Sequence, residues 1–378
     1  MDSTVKKRNR ELFATARERL VREKKSGLDV IYVTHKEDAG ADRSFFFLTG
    51  IDRGSFLYAS ILVGKEGNAH LFIPELEEEE ARLAGLPYSI VRPGEDTLAR
   101  ALRGHQQVGV NAGGLTLAEA GRLKDKRFHL VNIAQELEDA RACKSAQELE
   151  NLRKSCRIAA ETARRIPGMA RTGMTERELA ARIDFTMARL GSERPAFDTI
   201  VAFGKNSAIP HAVPGGKKLL KGDLVLCDFG ATFGKMCSDI TRVYVCGKPS
   251  PEQSNLYHAV LDIQERALAR LRVDEPARAI HLEAESAVTE FFRLAKAPGK
   301  MGHGLGHSIG FYSHDGKSLS KEGFRLPDNF AVTVEPAGYL PGFGGVRIED
   351  TVFVTRKGVE ILTARAPKNE LLSIPQES

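Results

Sequence analysis

Residues 226–242, Leu-Cys-Asp-Phe-Gly-Ala-Thr-Phe-Gly-Lys-Met-Cys-Ser-Asp-Ile-Thr-Arg, constrain this chain more than any other stretch. Two acids, Asp228 and Asp239, stand eleven residues apart in runs that otherwise read as strands. Residues 224–227 are apolar, and 240–245 are mostly β-branched and aromatic. Gly230 and Gly234, between the acids, suit a reversal of chain direction. Read as a β-hairpin centred between Phe233 and Gly234, the stretch sets Asp228 opposite Asp239, with Cβ atoms about 4.5–5.5 Å apart. Two carboxylates that close repel strongly unless a proton or a metal ion lies between them. The stretch therefore asks for a cation.

A second acid pair, Glu335 and Glu349, lies in Val332-Thr-Val-Glu-Pro336 and Val346-Arg-Ile-Glu-Asp350. Alternation puts Thr333 and Glu335 on one face, and Arg347 and Glu349 on one face of the other strand. Residues 337–345 fit a long turn between them. Each acid-bearing hairpin follows a pair of helices, which suggests a loose internal duplication with a site between its halves. A third element, residues 302–315, packs His303, His307 and His314 among glycines at 302, 304, 306 and 310 that admit close backbone approach. Packing alone accounts poorly for three histidines in such a loop when the whole chain has ten. Four carboxylates and an imidazole form a hard, oxygen-rich donor set. That set suits paired divalent ions such as Mn, Co, Fe or Zn and is too poor in thiolate for a structural zinc site. Two ions roughly 3.5–4 Å apart, bridged by carboxylates, would serve hydrolysis.

Composition excludes several other classes. The net charge of +5 is spread along the chain, and its densest runs, 6–10 and 75–80, read as solvated faces. No basic stripe interleaved with aromatics points to nucleic acid. No stretch is long and apolar enough to span a membrane, and the charged N-terminus does not read as a secretory signal. The five cysteines include no CxxC pair, so reduced thiols in a cytoplasmic protein are expected, with Cys227 and Cys237 read as core.

The length of 378 residues implies two domains. Residues 1–132 read as α/β: a helix over 3–26, strands near 29–33, 55–63, 69–73, 89–92, 107–110 and 129–133, and a buried strand end at 45–50. Helices fall over 76–84, 97–102 and 117–123. Residues 133–378 open with helices. Ser145-Ala-Gln-Glu148 and Thr175-Glu-Arg-Glu178 are capping boxes, starting helices that end near 166 and 191. Two more helices, 250–271 and 277–295, precede the second hairpin. Helices preceding hairpin strands in both halves give an α+β fold.

Over roughly residues 140–365 the chain resembles the pita-bread metallopeptidases: methionine aminopeptidase, aminopeptidase P and prolidase. The matching positions are Asp228 and Asp239 with Gly230-Ala231 between, the spacing of His303, His307 and His314, Glu335-Pro336, and Arg347-Ile-Glu-Asp350. Asp198-Thr-Ile-Val201, Pro210-His211 and Lys144-Ser145 fit as well. Residues 1–132 resemble the creatinase-type N-terminal domain of prolidases and aminopeptidases P, which methionine aminopeptidases lack. The complete ligand set argues against a metal-free creatinase-like enzyme and against a non-catalytic pita-bread module that binds peptides or partner proteins.

The resemblance implies two divalent ions (Mn, Co or Zn), with Asp228 on one ion, Asp239 and Glu349 bridging both, and His307 and Glu335 completing the shells. Glu335 would also shuttle a proton to the leaving nitrogen. His211 and His314 would steady the substrate carbonyl and oxyanion, and His303 would border the pocket for the residue after the scissile bond. Arg347 would brace its neighbours or contact the substrate. The implied activity is hydrolysis of Xaa-Pro bonds in proline-containing peptides by a homodimer. The short N-terminal domain favours an Xaa-Pro dipeptidase (prolidase), with an aminopeptidase P acting on longer peptides as the alternative.

Overall fold

Short β-branched runs with no polar face, such as Val30–Thr34 and Ser60–Gly64, have to be buried on both sides. They form the centre of a six-stranded mixed sheet in the order Tyr88–Ile90, Ala69–Ile73, Ser60–Gly64, Val30–Thr34, Gln107–Val110, His129–Asn132. Ser60–Gly64 pairs antiparallel with both of its neighbours, and the other three pairings are parallel. The computed structural model describes residues 3–22, 27–35, 42–92, 94–95, 101–124 and 129–375. These fall into two units, Met1–Arg141 and Ala142–Ser378. The division comes at the end of helix Ala134–Ala142, later than the expected boundary at 132.

Two expectations in the first unit are corrected. Residues 45–50 form no strand end. Ser44–Thr49 is a helix, every residue of it buried, closed by Gly50 at φ 72°, whose N–H donates to Phe46 O at 2.8 Å. A short apolar run carries no period that separates strand from helix, and the left-handed glycine cap decides for helix. The strand expected over 55–63 begins only at Ser60, because Phe56 and Tyr58 take left-handed φ values of 52° and 58°. The expected helix at 97–102 lies mostly outside the described residues, as does the end of the first helix at 23–26.

In the second unit, helices Ala146–Met169, Glu176–Arg189 and Pro251–Arg270 each open with a complete capping box, from Ser145, Thr175 and Ser250. The first pair packs Ala159, Ala163, Leu179 and Ile183 against Val225, Cys227, Phe229 and Tyr244. The second pair, Pro251–Arg270 and Ala277–Leu294, packs Leu256, Val260, Ala284 and Val288 against Leu226, Val243, Val332 and Val352. Each hairpin thus buries one face beneath helices and keeps the other for its acids. Among the described residues no helix is long and apolar enough to cross a membrane.

The first hairpin pairs Leu224–Phe229 with Ile240–Cys246 and continues to a tip of Thr232–Phe233 against Met236–Cys237. Gly234 and Lys235 both take positive φ, 53° and 66°, and form a two-residue turn whose twist matches the strands. The reversal therefore comes one residue later than expected. Asp228 lies opposite Thr241, and Asp239 is its diagonal neighbour on the same face. In the second hairpin, residues 337–345 are not one long turn. Ala337–Leu340 pairs with Gly344–Arg347, and the chain reverses through 341–343. The inner ladder, Phe330–Val334 with Asp350–Thr355, keeps the same register, so Glu335 stands across from Glu349.

Both ladders break at their acids, and there the hairpins bond to each other instead. Glu349 N–H donates to Thr241 O at 3.2 Å, Asp239 N–H donates to Thr351 Oγ1 at 3.2 Å, and Thr351 Oγ1 donates to Asp239 O at 2.7 Å. The Gly/His loop joins them through Gly306–His307, where a Cβ on Gly306 would stand 2.0 Å from Thr333 O. Only glycine allows that approach.

Candidate metal centre

The stitched hairpins and the Gly/His loop enclose a cavity of about 300 Å³. Its walls contain all the expected site residues: His211, Asp228, Asp239, His303, His307, His314, Glu335, Arg347 and Glu349. Phe197 and Ile200 supply the apolar part of the remaining wall, beside Gly304, Gly306, Ser313 and Ser318.

One ligand atom each from Asp239, His307 and Glu349 lie within 4.8 Å of one another, and all three residues are buried. His307 Nε2 is 3.7 Å from Asp239 Oδ2 and 3.4 Å from Glu335 Oε1. The other ring nitrogen, Nδ1, faces Ser308 O at 3.3 Å. A carbonyl only accepts, so Nδ1 carries the hydrogen and Nε2 turns its lone pair to the acids. Three buried carboxylate oxygens, Asp228 Oδ1, Asp239 Oδ1 and Glu349 Oε1, have no hydrogen-bond partner among the described residues. Converging oxygens without partners beside a neutral imidazole are a poor hydrogen-bond network and a good set of donors for divalent cations. The residues present therefore fit the metal centre that the sequence implies.

Arg347 is 3 % exposed and every guanidinium nitrogen is engaged. Nε donates to Thr241 Oγ1 at 3.1 Å, Nη1 to Pro210 O at 3.3 Å and to the Tyr339 hydroxyl, and Nη2 to Asp228 Oδ2. Thr241 Oγ1 in turn donates to Glu349 Oε2 at 2.7 Å. Of the two roles expected for Arg347, this geometry is that of a brace. His303 Nδ1 lies 2.7 Å from Gly304 O and so carries its hydrogen, while Nε2 accepts from Tyr339 at 2.9 Å. Both of its ring nitrogens are engaged, so His303 shapes the cavity without offering a free donor. His314 stacks on His307 with ring centroids 3.7 Å apart. His211 and His314 are both open to solvent.

Sequence reasoning missed Thr241 and Tyr339. Thr241 stands two residues beyond Asp239, where alternation could have flagged it. Tyr339 fell in the stretch read as a turn, and nothing in its neighbours marks it.

Burial, and then the charge of its neighbours, sets the electrostatics. Burial and the carboxylates of Glu349 and Asp228 push Asp239 well above the ordinary carboxylate range. Burial, with Glu335 and Asp228 beside it, does the same to Glu349. Burial raises Glu335 to about 8, against the pull of Arg347. Burial lowers His307 to about 3, with His314 adding to the effect, and lowers His303 to about 4, with Arg347 adding to it.

A pH dependence follows. Between its ordinary 4.5 and about 8, folded Glu335 holds a proton that the unfolded chain has released. Stability then falls as pH rises. Asp239 and Glu349, raised in the same way, add to this fall, and His303 and His307, which burial holds neutral in the fold, partly offset it because the unfolded chain still protonates them around their ordinary 6.5. Chelated protein is thus expected to lose about 5 °C of Tm between about pH 6.5 and 8, and added Mn²⁺ to abolish the loss. Differential scanning fluorimetry with and without EDTA checks this, and a flat or rising Tm in EDTA would contradict it.

Residues 150–356 match the profile of metallopeptidase family M24, and residues 16–143 that of the creatinase/prolidase N-terminal domain. The Xaa-Pro dipeptidase of Pyrococcus furiosus is 34% identical over 298 residues, covering 78% of this chain and 84% of its own. The solved Xaa-Pro dipeptidase from Bacillus anthracis superposes with a TM-score of 0.85 at 29% identity, over 98% of this chain and 99% of its own. The X-Pro aminopeptidase from Thermotoga maritima superposes with a TM-score of 0.82 at 30% identity, over 92% and 98%.

Proposed function

The chain belongs to metallopeptidase family M24, and from that premise we propose that it hydrolyses Xaa-Pro bonds as an Xaa-Pro dipeptidase. It is a metal-dependent peptidase with a creatinase-type N-terminal domain and a pita-bread catalytic domain. The observation that carries the dipeptidase reading is the 34% identity to an Xaa-Pro dipeptidase over 84% of that protein's length. The small cavity of about 300 Å³ is in keeping with a dipeptide.

In this reading Asp228, Asp239, His307, Glu335 and Glu349 hold two divalent ions, of Mn, Co or Zn. The ions would supply an activated water and a polarised scissile carbonyl. Glu335 points Oε1 toward His307 and Oε2 toward His303, 3.9 Å from its Nδ1. Oε2 is the atom placed to pass a proton to the departing proline nitrogen, which has no hydrogen of its own while in the peptide bond. His314 and His211 donate to the substrate carbonyl and to the oxyanion that forms from it. His303, tied to Tyr339, borders the leaving proline. Arg347 keeps Asp228 and, through Thr241, Glu349 in place. A cytoplasmic homodimer belongs to the same proposal, the dimer supported by the family resemblance and the compartment by five cysteines of which none forms a disulfide.

A second reading, X-Pro aminopeptidase, has its own support. His303 and Gly304 also line a wider groove of about 770 Å³, which gives room beyond the leaving residue. Mn- or Co-loaded protein offered Leu-Pro and Leu-Pro-Pro side by side separates the two. The dipeptidase reading expects Leu-Pro to be cleaved with the higher kcat/KM. Cleavage of the tripeptide alone would exclude it.

A further inference from the structure

We propose that Glu176 is a positioning residue, whose buried carboxylate clamps the segment that carries His211 into the cavity. The inference rests on the reading of His211 as a group that meets the substrate. Glu176 opens helix Glu176–Arg189 and is 1 % exposed. Its Oε1 accepts from Phe203 N–H at 2.9 Å and Asn206 Nδ2 at 2.8 Å, and its Oε2 accepts from Gly215 N–H at 3.0 Å. Among the described residues no Lys or Arg pairs with it.

Capping its own helix does not explain this arrangement. Thr175 Oγ1 already accepts from Glu178 N–H, and the Glu178 carboxylate returns to Thr175 N–H. The Glu176 side chain instead spans both ends of residues 203–215. That segment holds one short 3₁₀ turn, Gly204–Ala208, and no regular strand beyond Phe203. A buried carboxylate without a counter-ion loses several kcal/mol of hydration unless N–H donors replace it. Here they do, and all three come from the segment that bears His211.

His211 makes no side-chain hydrogen bond among the described residues, so its backbone alone sets where the imidazole stands. The segment is tied to its surroundings at several points: Pro210 O accepts from Arg347 Nη1 at 3.3 Å, Ser207 Oγ accepts from Gly345 N–H at 2.8 Å, and Gly215 O accepts from Arg177 N–H at 3.1 Å. The Glu176 clamp is the one attachment that draws Phe203, Asn206 and Gly215 onto a single group. Glutamine at 176 would turn an NH₂ group toward one or more N–H donors, and the clamp would open without loss of the helix cap.

A double-mutant cycle tests this. In metal-loaded protein, Glu176→Gln is expected to lower kcat/KM about tenfold, as misplacement of a catalytic group does, with metal stoichiometry unchanged. In a His211→Ala background the same change should alter kcat/KM by less than about twofold, since the group it positions is already gone. Asn206→Ala, which removes one donor and leaves the carboxylate in place, should act in the same direction with a smaller effect should Glu176→Gln fold poorly. An equal loss in both backgrounds overturns the proposal, because a general loosening of the fold would not depend on His211. The cycle is run on whichever of Leu-Pro and Leu-Pro-Pro the protein cleaves, so failure of the dipeptidase reading leaves it intact. A readout without substrate covers the remaining case. In protein labelled with [¹³C]histidine, the His211 ring resonance, assigned by its loss in His211→Ala, should shift and broaden in Glu176→Gln. An unchanged resonance also overturns the proposal.

Discussion

Asp239→Asn is expected to reduce kcat on Leu-Pro by about 10³-fold or more and to leave the metal-free protein as stable as the parent. Asp239 Oδ2 faces His307, and Oδ1 has no partner among the described residues. Its backbone, in contrast, is held at both N–H and C=O by Thr351. Asparagine keeps the shape and that backbone clamp, and removes the charge. The charge is the part that burial, Glu349 and Asp228 disfavour when no cation is bound. Without metal, its loss therefore relieves repulsion and costs little. With metal, its loss would remove one of the carboxylates proposed to hold the ions. The expected signature is a normal Tm in EDTA, a much smaller rise of Tm on adding Mn²⁺, and fewer ions bound per chain. Full activity in this variant would refute the metal centre as assigned. Asp228→Asn should behave differently. Asp228 Oδ2 is the partner of Arg347 Nη2, so that change also strands a buried guanidinium and should lower Tm in EDTA.

Asp350→Ala is expected to destabilise the second unit by about 3–5 kcal/mol. Asp350 is fully buried behind the second hairpin. Oδ1 accepts from Arg242 Nη2 and Thr363 Oγ1, both at 2.7 Å, and Oδ2 accepts from Lys368 Nζ at 2.6 Å and Gln264 Nε2 at 3.2 Å. Burial alone would raise its carboxyl, but Arg242 and Lys368 outweigh it and hold the group below the ordinary carboxylate range. Alanine would leave the guanidinium of Arg242 buried with no counter-ion. Activity should fall as well, because Arg242 Nη1 also donates to Glu349 O at 2.6 Å and so fixes the backbone of a proposed ligand. Urea denaturation checks the stability, and a loss under about 1 kcal/mol would show that the network is not cooperative. Replacing Arg242, Asp350 and Lys368 together by apolar residues of similar size should recover much of the loss, since no charge is then left unpaired.

Much of the site is legible in the sequence alone. The acids at 228, 239, 335 and 349 interrupt runs that must be strands, and several carboxylates buried so close together are best accommodated around a cation. The capping boxes at Ser145 and Thr175 place two helices to within a few residues, because a cap is a local hydrogen-bond pattern. Registers are less legible. A turn at Gly234–Lys235 and a turn at 233–234 are equally compatible with the sequence, yet they give different cross-strand partners for Asp228. Lys235 adopts positive φ against its intrinsic preference, and only the packed hairpin imposes that.

Periodicity, turn chemistry and donor type are properties of short stretches, so the α+β class, the acid-bearing hairpins and the donor set follow from the chain read alone. Partnership across ~100 residues is a property of packing. Thr351 holding Asp239, Thr241 between Arg347 and Glu349, and Tyr339 at His303 depend on how two hairpins break their ladders and bond to each other. The two facing acids of the first hairpin became diagonal neighbours, and Asp239 came within 4.8 Å of Glu349 from the second hairpin and His307 from the Gly/His loop. No local pattern encodes that convergence, because it comes from burying four helices against two sheets.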